Sequence, residues 1–280
     1  MPTIKVVTIV QARMSSTRLP GKVFLPVLEK PLLVRMLERV RNAKLIGELV
    51  VATSTNSDDD QIEELCSKEN IKCFRGHLTD LLDRHYQAAK RFDADAVVKI
   101  PSDCPLIDPK IIDKVLQFYI DNSDRFDFVS NLHPATYPDG NDVEIMSFSA
   151  VERAWREAVK DFEREHTTPY IWENPDKFRI GNVVWETGLD FSTTQRWTID
   201  FEEDYLFIKK VYEELYPLNP KFDLNDILTL LKQKPDIAAI NQKYLGKYWY
   251  EKHLNELNHI EEYKVKHEVR SAVGGTKYEE

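Results

Sequence analysis

The chain has 280 residues, 42% of them hydrophobic and 30% charged, with a formal net charge of −9. This balance fits a globular protein of one large domain, or one domain with an appendage, and argues against a nucleic-acid surface, which calls for a basic stripe. No apolar run approaches the ~20 residues of a membrane span, the first residues do not form a signal peptide, and Cys66, Cys73 and Cys104 lack metal-type spacing. A cytoplasmic protein with reduced thiols is expected.

The first element is the run Val6, Val7, Thr8, Ile9, Val10, read as a strand over residues 5–11 because it is short and β-branched. A loop follows that carries three cations, Arg13, Arg18 and Lys22, with the hydroxyls of Ser15, Ser16 and Thr17 between them. In open α/β sheets ligands collect at the carboxyl ends of strands, and arginine and lysine are the side chains that grip phosphate. The loop therefore reads as a phosphate site. It has neither the glycine spacing of a Walker A loop nor that of a dinucleotide fingerprint.

Helix and strand then alternate, the pattern of a parallel sheet with helices on both faces. Leu32, Leu33, Met36, Leu37 and Val40 recur at helical spacing after Pro31, and strands are expected at 48–53, 71–74 and 95–100. Asp58, Asp59 and Asp60 read as the acidic first turn of a helix carrying Ile62 and Leu65, and Leu81, Leu82, Tyr86 and Ala89 mark another. The second half is expected to continue one mixed sheet, with strands near 142–148, 178–185 and 196–200 and helices near 149–160 and 163–173. Beyond Asp200 the chain reads as helical, through Tyr205 to Leu215 and Leu224 to Leu231, with aromatics crowding Tyr244 to Tyr250 and a loose tail from about Lys264. The expected division is a domain over 1–240 and a helical C-terminal extension and tail over 241–280. The apolar stripes of the C-terminal helices lead us to expect a homodimer.

Asp103 follows the run Ala96 to Ile100, and Asp200 ends Trp197, Thr198, Ile199, so both sit at strand ends. Two carboxylates placed together can hold a hard divalent cation, with phosphate oxygen and water filling its other positions. Either aspartate taken alone reads equally well as a cap, Asp103 before Pro105 and Asp200 before a helix near Glu202.

The run Gln11-Ala12-Arg13-Met14-Ser15-Ser16-Thr17-Arg18-Leu19-Pro20-Gly21-Lys22 resembles the signature of the CTP-dependent sugar cytidylyltransferases, most closely the spore-coat polysaccharide branch. The 3-deoxy-manno-octulosonate cytidylyltransferases share its second half. Further similar motifs follow in order: Phe74-Arg75-Gly76, Ser102-Asp103-Cys104-Pro105-Leu106-Ile107-Asp108, Asp142-Val143-Glu144, Glu165-His166-Thr167-Thr168-Pro169-Tyr170 and Arg196-Trp197-Thr198-Ile199-Asp200. The resemblance implies a three-layer α/β/α fold of the nucleotide-diphosphosugar transferase type, with a mixed, mostly parallel sheet. It also implies transfer of CMP from CTP to a sugar, sugar acid or related acceptor. On the same basis Asp103 and Asp200 would be the Mg²⁺ ligands, and Lys22 and Arg13 would neutralise developing phosphate charge. Gln11, Ala12, Thr53 and Ser54 would face the cytosine, Arg18, Arg75 and Ser102 are further nucleotide contacts, and His166 lies on the acceptor side. Pro101 stands where the octulosonate enzymes carry a glutamine, which favours the spore-coat-like branch. Two alternatives are a glycosyltransferase of the same fold, although Ser102-Asp103-Cys104 replaces its usual Asp-X-Asp, and a non-catalytic interaction module built on the C-terminal helices.

Overall fold

In the computed structural model, which describes residues 4–247 and Leu257, the β-branched runs of the first half become neighbouring strands. β1 (Val6–Gln11) leads into a small hairpin, β2 (Pro26–Val27) and β3 (Lys30–Pro31). Helix and strand then alternate through α1 (Leu32–Val40), β4 (Glu48–Ser54), α2 (Asp60–Lys68), β5 (Lys72–Gly76), α3 (Leu81–Arg91), β6 (Ala96–Pro101), α4 (Pro109–Asp121) and β7 (Phe128–Ser130). The second half supplies β8 (Glu144–Ser147), α5 (Phe148–Glu157), α6 (Asp161–His166), α7 (Pro169–Trp172), β9 (Ile180–Asn182), α8 (Glu202–Leu215), α9 (Leu224–Gln233) and α10 (Pro235–Ala239). The described residues up to Gly246 form one compact unit. The tail and most of the aromatic cluster expected after Tyr244 lie outside the described residues.

Seven strands form one sheet in the order β5-β4-β1-β6-β8-β7-β9, in which β8 alone runs against its neighbours. Val7, Ile9 and Val10 are fully buried because both faces of β1 are covered, and each such side chain contributes ~1.5–3 kcal/mol on leaving water. One face packs on α1, α4, α8 and α9 through Met36, Leu37, Ile112, Phe207, Ile208 and Ile227. The other carries α3, which contacts β1 and β4 and is backed by α5 and α6. The result is three layers.

The chain winds outward from β1 through β4 to β5 and then returns to β6 on the far side of β1. Strand order reverses between β1 and β6, and at such a reversal the connections leave in opposite directions and open a crevice at the carboxyl ends. Gln11 and Pro101 face each other across that reversal. The cation loop and Asp103 thus start from adjacent strand ends.

Two expectations need correction. Residues 196–200 form no strand, only an isolated bridge from Arg196 to Asp139, because Trp197 N–H donates to Asp139 (2.7 Å) and Ile199 N–H to Asp103 (2.9 Å), both in loops. The helix expected over 163–173 is broken at Thr167, which adopts φ 75°. β7 and α4 went unread, although Asp108 caps α4 and Pro109 occupies its first turn. The apolar stripes of α8 and α9 pack into the chain's own core.

Candidate active site

The cation loop is closed on itself before it reaches any ligand. Met14 C=O accepts from Ser16 N–H and from Gly21 N–H, both at 2.9 Å, so residues 14–21 form a ring. Gly21 closes it at φ 69°; an added Cβ would meet little, so the left-handed backbone rather than space calls for glycine. A 3₁₀ turn over Lys22–Phe24 then turns Lys22 inward, where its side chain is only 11% exposed.

Lys22 Nζ donates to Ile199 C=O (2.6 Å) and Asp200 Oδ1 (3.1 Å), and lies 3.6 Å from Asp103 Oδ2. The structure therefore brings Lys22, Asp103 and Asp200 to one point. Backbone bonds hold the aspartates together, since Ile199 N–H and Thr198 Oγ1 both donate to Asp103 C=O at 2.9 Å. Arg18 meets Asp200 Oδ1 at 2.7 Å. Burial opposes ionisation of Asp200, yet Lys22 and Arg18 outweigh it and hold the carboxyl below its ordinary value. Asp200 does not cap α8: Asp204 does so, accepting from Asp200 N–H (2.9 Å) and Phe201 N–H (3.1 Å).

Asp200 is steadied from behind by Arg196, a residue singled out only as part of a motif. Its guanidinium grips both oxygens of fully buried Asp204 at 3.0 Å and reaches Asp200 Oδ2 at 3.3 Å and Asp139 Oδ2 at 3.5 Å. Asn241 donates to Asp204 Oδ1 (2.9 Å) and to Arg196 C=O (3.0 Å). Gly140 lets the 139–142 loop approach, because a Cβ there would fall 2.7 Å from the Trp197 carbonyl carbon. On that loop burial, Asp103 and Glu144 push the Asp142 carboxyl up to about 7, and burial with Asp142 raises Asp139.

Arg13 is placed apart from Lys22. Its guanidinium donates to Leu78 C=O (3.4 Å) and lies 3.9 Å from half-exposed Glu165. Buried Arg84 shares the Leu78 carbonyl at 2.7 Å, and burial together with Arg13 brings its guanidinium down to about 10. Glu165 also brings the Glu165-His166 segment beside the first loop. His166 ends α6, half-buried, with its carbonyl accepting from Thr168 N–H (2.9 Å).

On the nucleotide side, Gln11 Oε1 and Thr53 Oγ1 are buried with no hydrogen-bond partner among the described residues. Ala12 extends the strand pairing by donating to Ala52 C=O at 3.0 Å, and Ser102 lies buried at the end of β6. Arg75 is fully engaged, with Ser54 C=O (2.9 Å), Asn56 C=O (2.8 Å), Asp60 (2.6 Å) and Glu63 (2.9 Å), so it braces the end of β4. Two residues escaped the sequence reading. Asp59, read as helix start, is buried and joins the first loop to β4. His85 is fully buried and held neutral, its ordinary value brought down to about 3 by burial, with Nδ1 2.7 Å from Leu81 C=O and 3.4 Å from Thr167 Oγ1.

Among the described residues no group of three or more His, Cys, Asp or Glu side chains is arranged to hold a metal ion. Asp103 and Asp200 do fit a shared cation, because both already converge on the Lys22 ammonium. Among the same residues no helix is long and apolar enough to cross a membrane.

A mostly parallel sheet with a closed cation loop and two converging carboxylates at its switch point defines a nucleotidyltransferase of the α/β class. The chain belongs to the cytidylyltransferase family, whose pattern it matches over residues 7–243. It is 34% identical over 248 residues to an uncharacterized protein of Methanocaldococcus jannaschii, covering 89% of this chain and 99% of that one. It is 32% identical over 237 residues to the spore coat polysaccharide biosynthesis protein SpsF of Bacillus subtilis, covering 82% and 95%. A solved cytidylyltransferase from Leptospira borgpetersenii shares the fold with a TM-score of 0.80 and 36% identity, over 89% of this chain and 100% of that one. The protein is accordingly a CTP-dependent nucleotidyltransferase.

Proposed function

We propose that the enzyme transfers CMP from CTP to a sugar, sugar acid or related acceptor, releasing pyrophosphate, in the synthesis of surface polysaccharide or glycoconjugate in the cytoplasm. The observation that carries this is the joint hold of Asp103 and Asp200 on Lys22 beneath a cation loop. The polysaccharide setting draws on the likeness to SpsF.

The acceptor oxygen bonds to the α-phosphorus, the bond from that phosphorus to the pyrophosphate oxygen breaks, and the acceptor proton passes to solvent. Positioning and neutralisation of charge carry most of such a reaction. Arg18 and Lys22, now spent on Asp200, exchange it for phosphate oxygens, and Arg13 stands at the loop's outer edge for further phosphate charge. Gln11 and Thr53 offer buried polar atoms to the base, with Ala12, Ser54 and Ser102 beside them. Asp103 and Asp200 would hold Mg²⁺, which when bound neutralises phosphate charge and activates the acceptor oxygen. His166 lies on the side from which the acceptor enters.

Calorimetry with the four nucleoside triphosphates and Mg²⁺ should show CTP bound most tightly. Pyrophosphate release across a panel of sugars and acidic sugars then identifies the acceptor. Preference for a UDP-sugar, with no pyrophosphate released from CTP, would overturn the reading.

A further inference from the structure

Asp59 lies 1% exposed at the start of α2, yet its carboxylate turns away from the helix. Oδ1 accepts from Met14 N–H at 2.7 Å. Oδ2 accepts from Ser54 N–H at 3.1 Å and from the Ser54 hydroxyl. Met14 is the residue whose carbonyl closes the 14–21 ring, so Asp59 grasps that ring at its knot. Ser54 ends β4, next to Thr53 with its unpartnered buried hydroxyl. One carboxylate, with one oxygen on the cation loop and the other on the end of β4, thereby fixes the distance between the two.

We propose that Asp59 is a positioning residue that couples the phosphate end of the nucleotide site to its base end. This rests on the reading that the loop takes phosphate and the end of β4 faces the base. Two subsites held at fixed separation bind a ligand spanning both more tightly than its parts predict, and the gain disappears when the separation is free to vary. Asp59 touches neither part of the ligand in this scheme. Its loss should weaken the whole nucleotide and spare the fragments.

The substitution Asp59→Asn replaces one acceptor by an amide NH₂, which cannot accept from Ser54 N–H, while the remaining oxygen still serves Met14 N–H. Calorimetry on both proteins would use CTP, cytidine and inorganic triphosphate as probes. Expected is a rise in the CTP dissociation constant of about tenfold, with each fragment changed by less than about threefold. Ser54→Ala serves as a milder second variant that removes the hydroxyl's bonds to Asp59 and to Asn56 N–H and should fold even where Asp59→Asn does not. It should weaken CTP in the same direction and leave inorganic triphosphate unchanged, while cytidine is read on Asp59→Asn because Ser54 itself lies beside the base. An unchanged CTP constant in either folded variant, or fragments weakened as much as CTP, would overturn the coupling. If wild-type protein bound CTP no better than UTP, the base assignment itself would fail, a result separate from either of these.

Discussion

Lys22 is where the loop after β6 and the 196–200 segment meet, because a single ammonium neutralises both Asp103 and Asp200. Removing it leaves two carboxylates facing each other, with Arg18 and Arg196 on Asp200 and no lysine on Asp103. Lys22→Ala should therefore lower kcat by about a hundredfold, the scale of losing one transition-state donor. It should also make the protein hungrier for a divalent cation: Mg²⁺ should raise the melting temperature of the variant more than that of the wild type. Equal Mg²⁺ shifts together with unchanged turnover would remove Lys22 from the centre of the site. At this scale the sequence showed residue types better than partners. Lys22 stood out in the cation loop and Asp103 and Asp200 after apolar runs, whereas nothing distinguishes Asp59 from any acidic first-turn residue except its bonds to Met14 and Ser54. Arg75 was the converse, read as a nucleotide contact and found with its guanidinium shared between Ser54 and Asn56 C=O and the carboxylates of Asp60 and Glu63 on α2.

Among the elements, the α6–α7 junction holds a β-branched residue in a strained backbone. Thr167 has φ 75° and ψ −52°, and Thr168 N–H donates back to His166 C=O, the bond of a positive-φ γ-turn. A β-branched residue there costs ~1–3 kcal/mol, so the surroundings must hold it. They do so through Arg164, which clamps α6 to Asp80 at 2.7 Å and to Trp155 C=O at 2.8 Å, and through buried His85 against the Thr167 hydroxyl. The strain can be tested by comparing Thr167→Ala with Thr167→Gly. At ordinary positions the alanine variant is ahead by ~0.4–1 kcal/mol; here, where only glycine is at ease, Thr167→Gly should melt at or above Thr167→Ala. An alanine variant ahead by the usual margin would show an unstrained turn. Nothing in Glu165-His166-Thr167-Thr168 announces such a break, since it is imposed by packing on α3, and an unbroken helix was the natural reading. The central strands were legible to within a few residues because burial on both faces demands continuous apolar runs. β7 was not, being three residues long, and residues 196–199 have strand-like composition while their partners are the loops of Asp103 and Asp139.

Over the whole molecule, buried ionisable groups pull stability in opposite directions as pH changes. Asp142, raised to about 7, keeps a proton in the native state that the unfolded chain has already released above the ordinary carboxylate range. It therefore lowers stability as pH rises through that window, and its effect is constant above it. His85, lowered to about 3, is neutral when folded but takes up a proton in the unfolded chain below about 6.5. Its contribution runs the other way, with stability gained as pH rises toward 6.5. Asp200, Asp127 and Asp223, all held below their ordinary values, add stability that is present at neutral pH and lost in acid. The wild-type melting temperature should thus change little between about pH 5 and 6.5, although single groups change much. Asp142→Asn isolates one of them, because the amide matches the neutral acid in shape and never ionises. The variant and the wild type should melt nearly together at about pH 4.5, and the variant should gain steadily on the wild type up to about pH 7. Above that the lead should hold, at several degrees if the loss is a few kcal/mol, given ~2–4 °C per kcal/mol for a domain of this size. A lead that is the same at every pH would mean that Asp142 is ionised in the native state throughout.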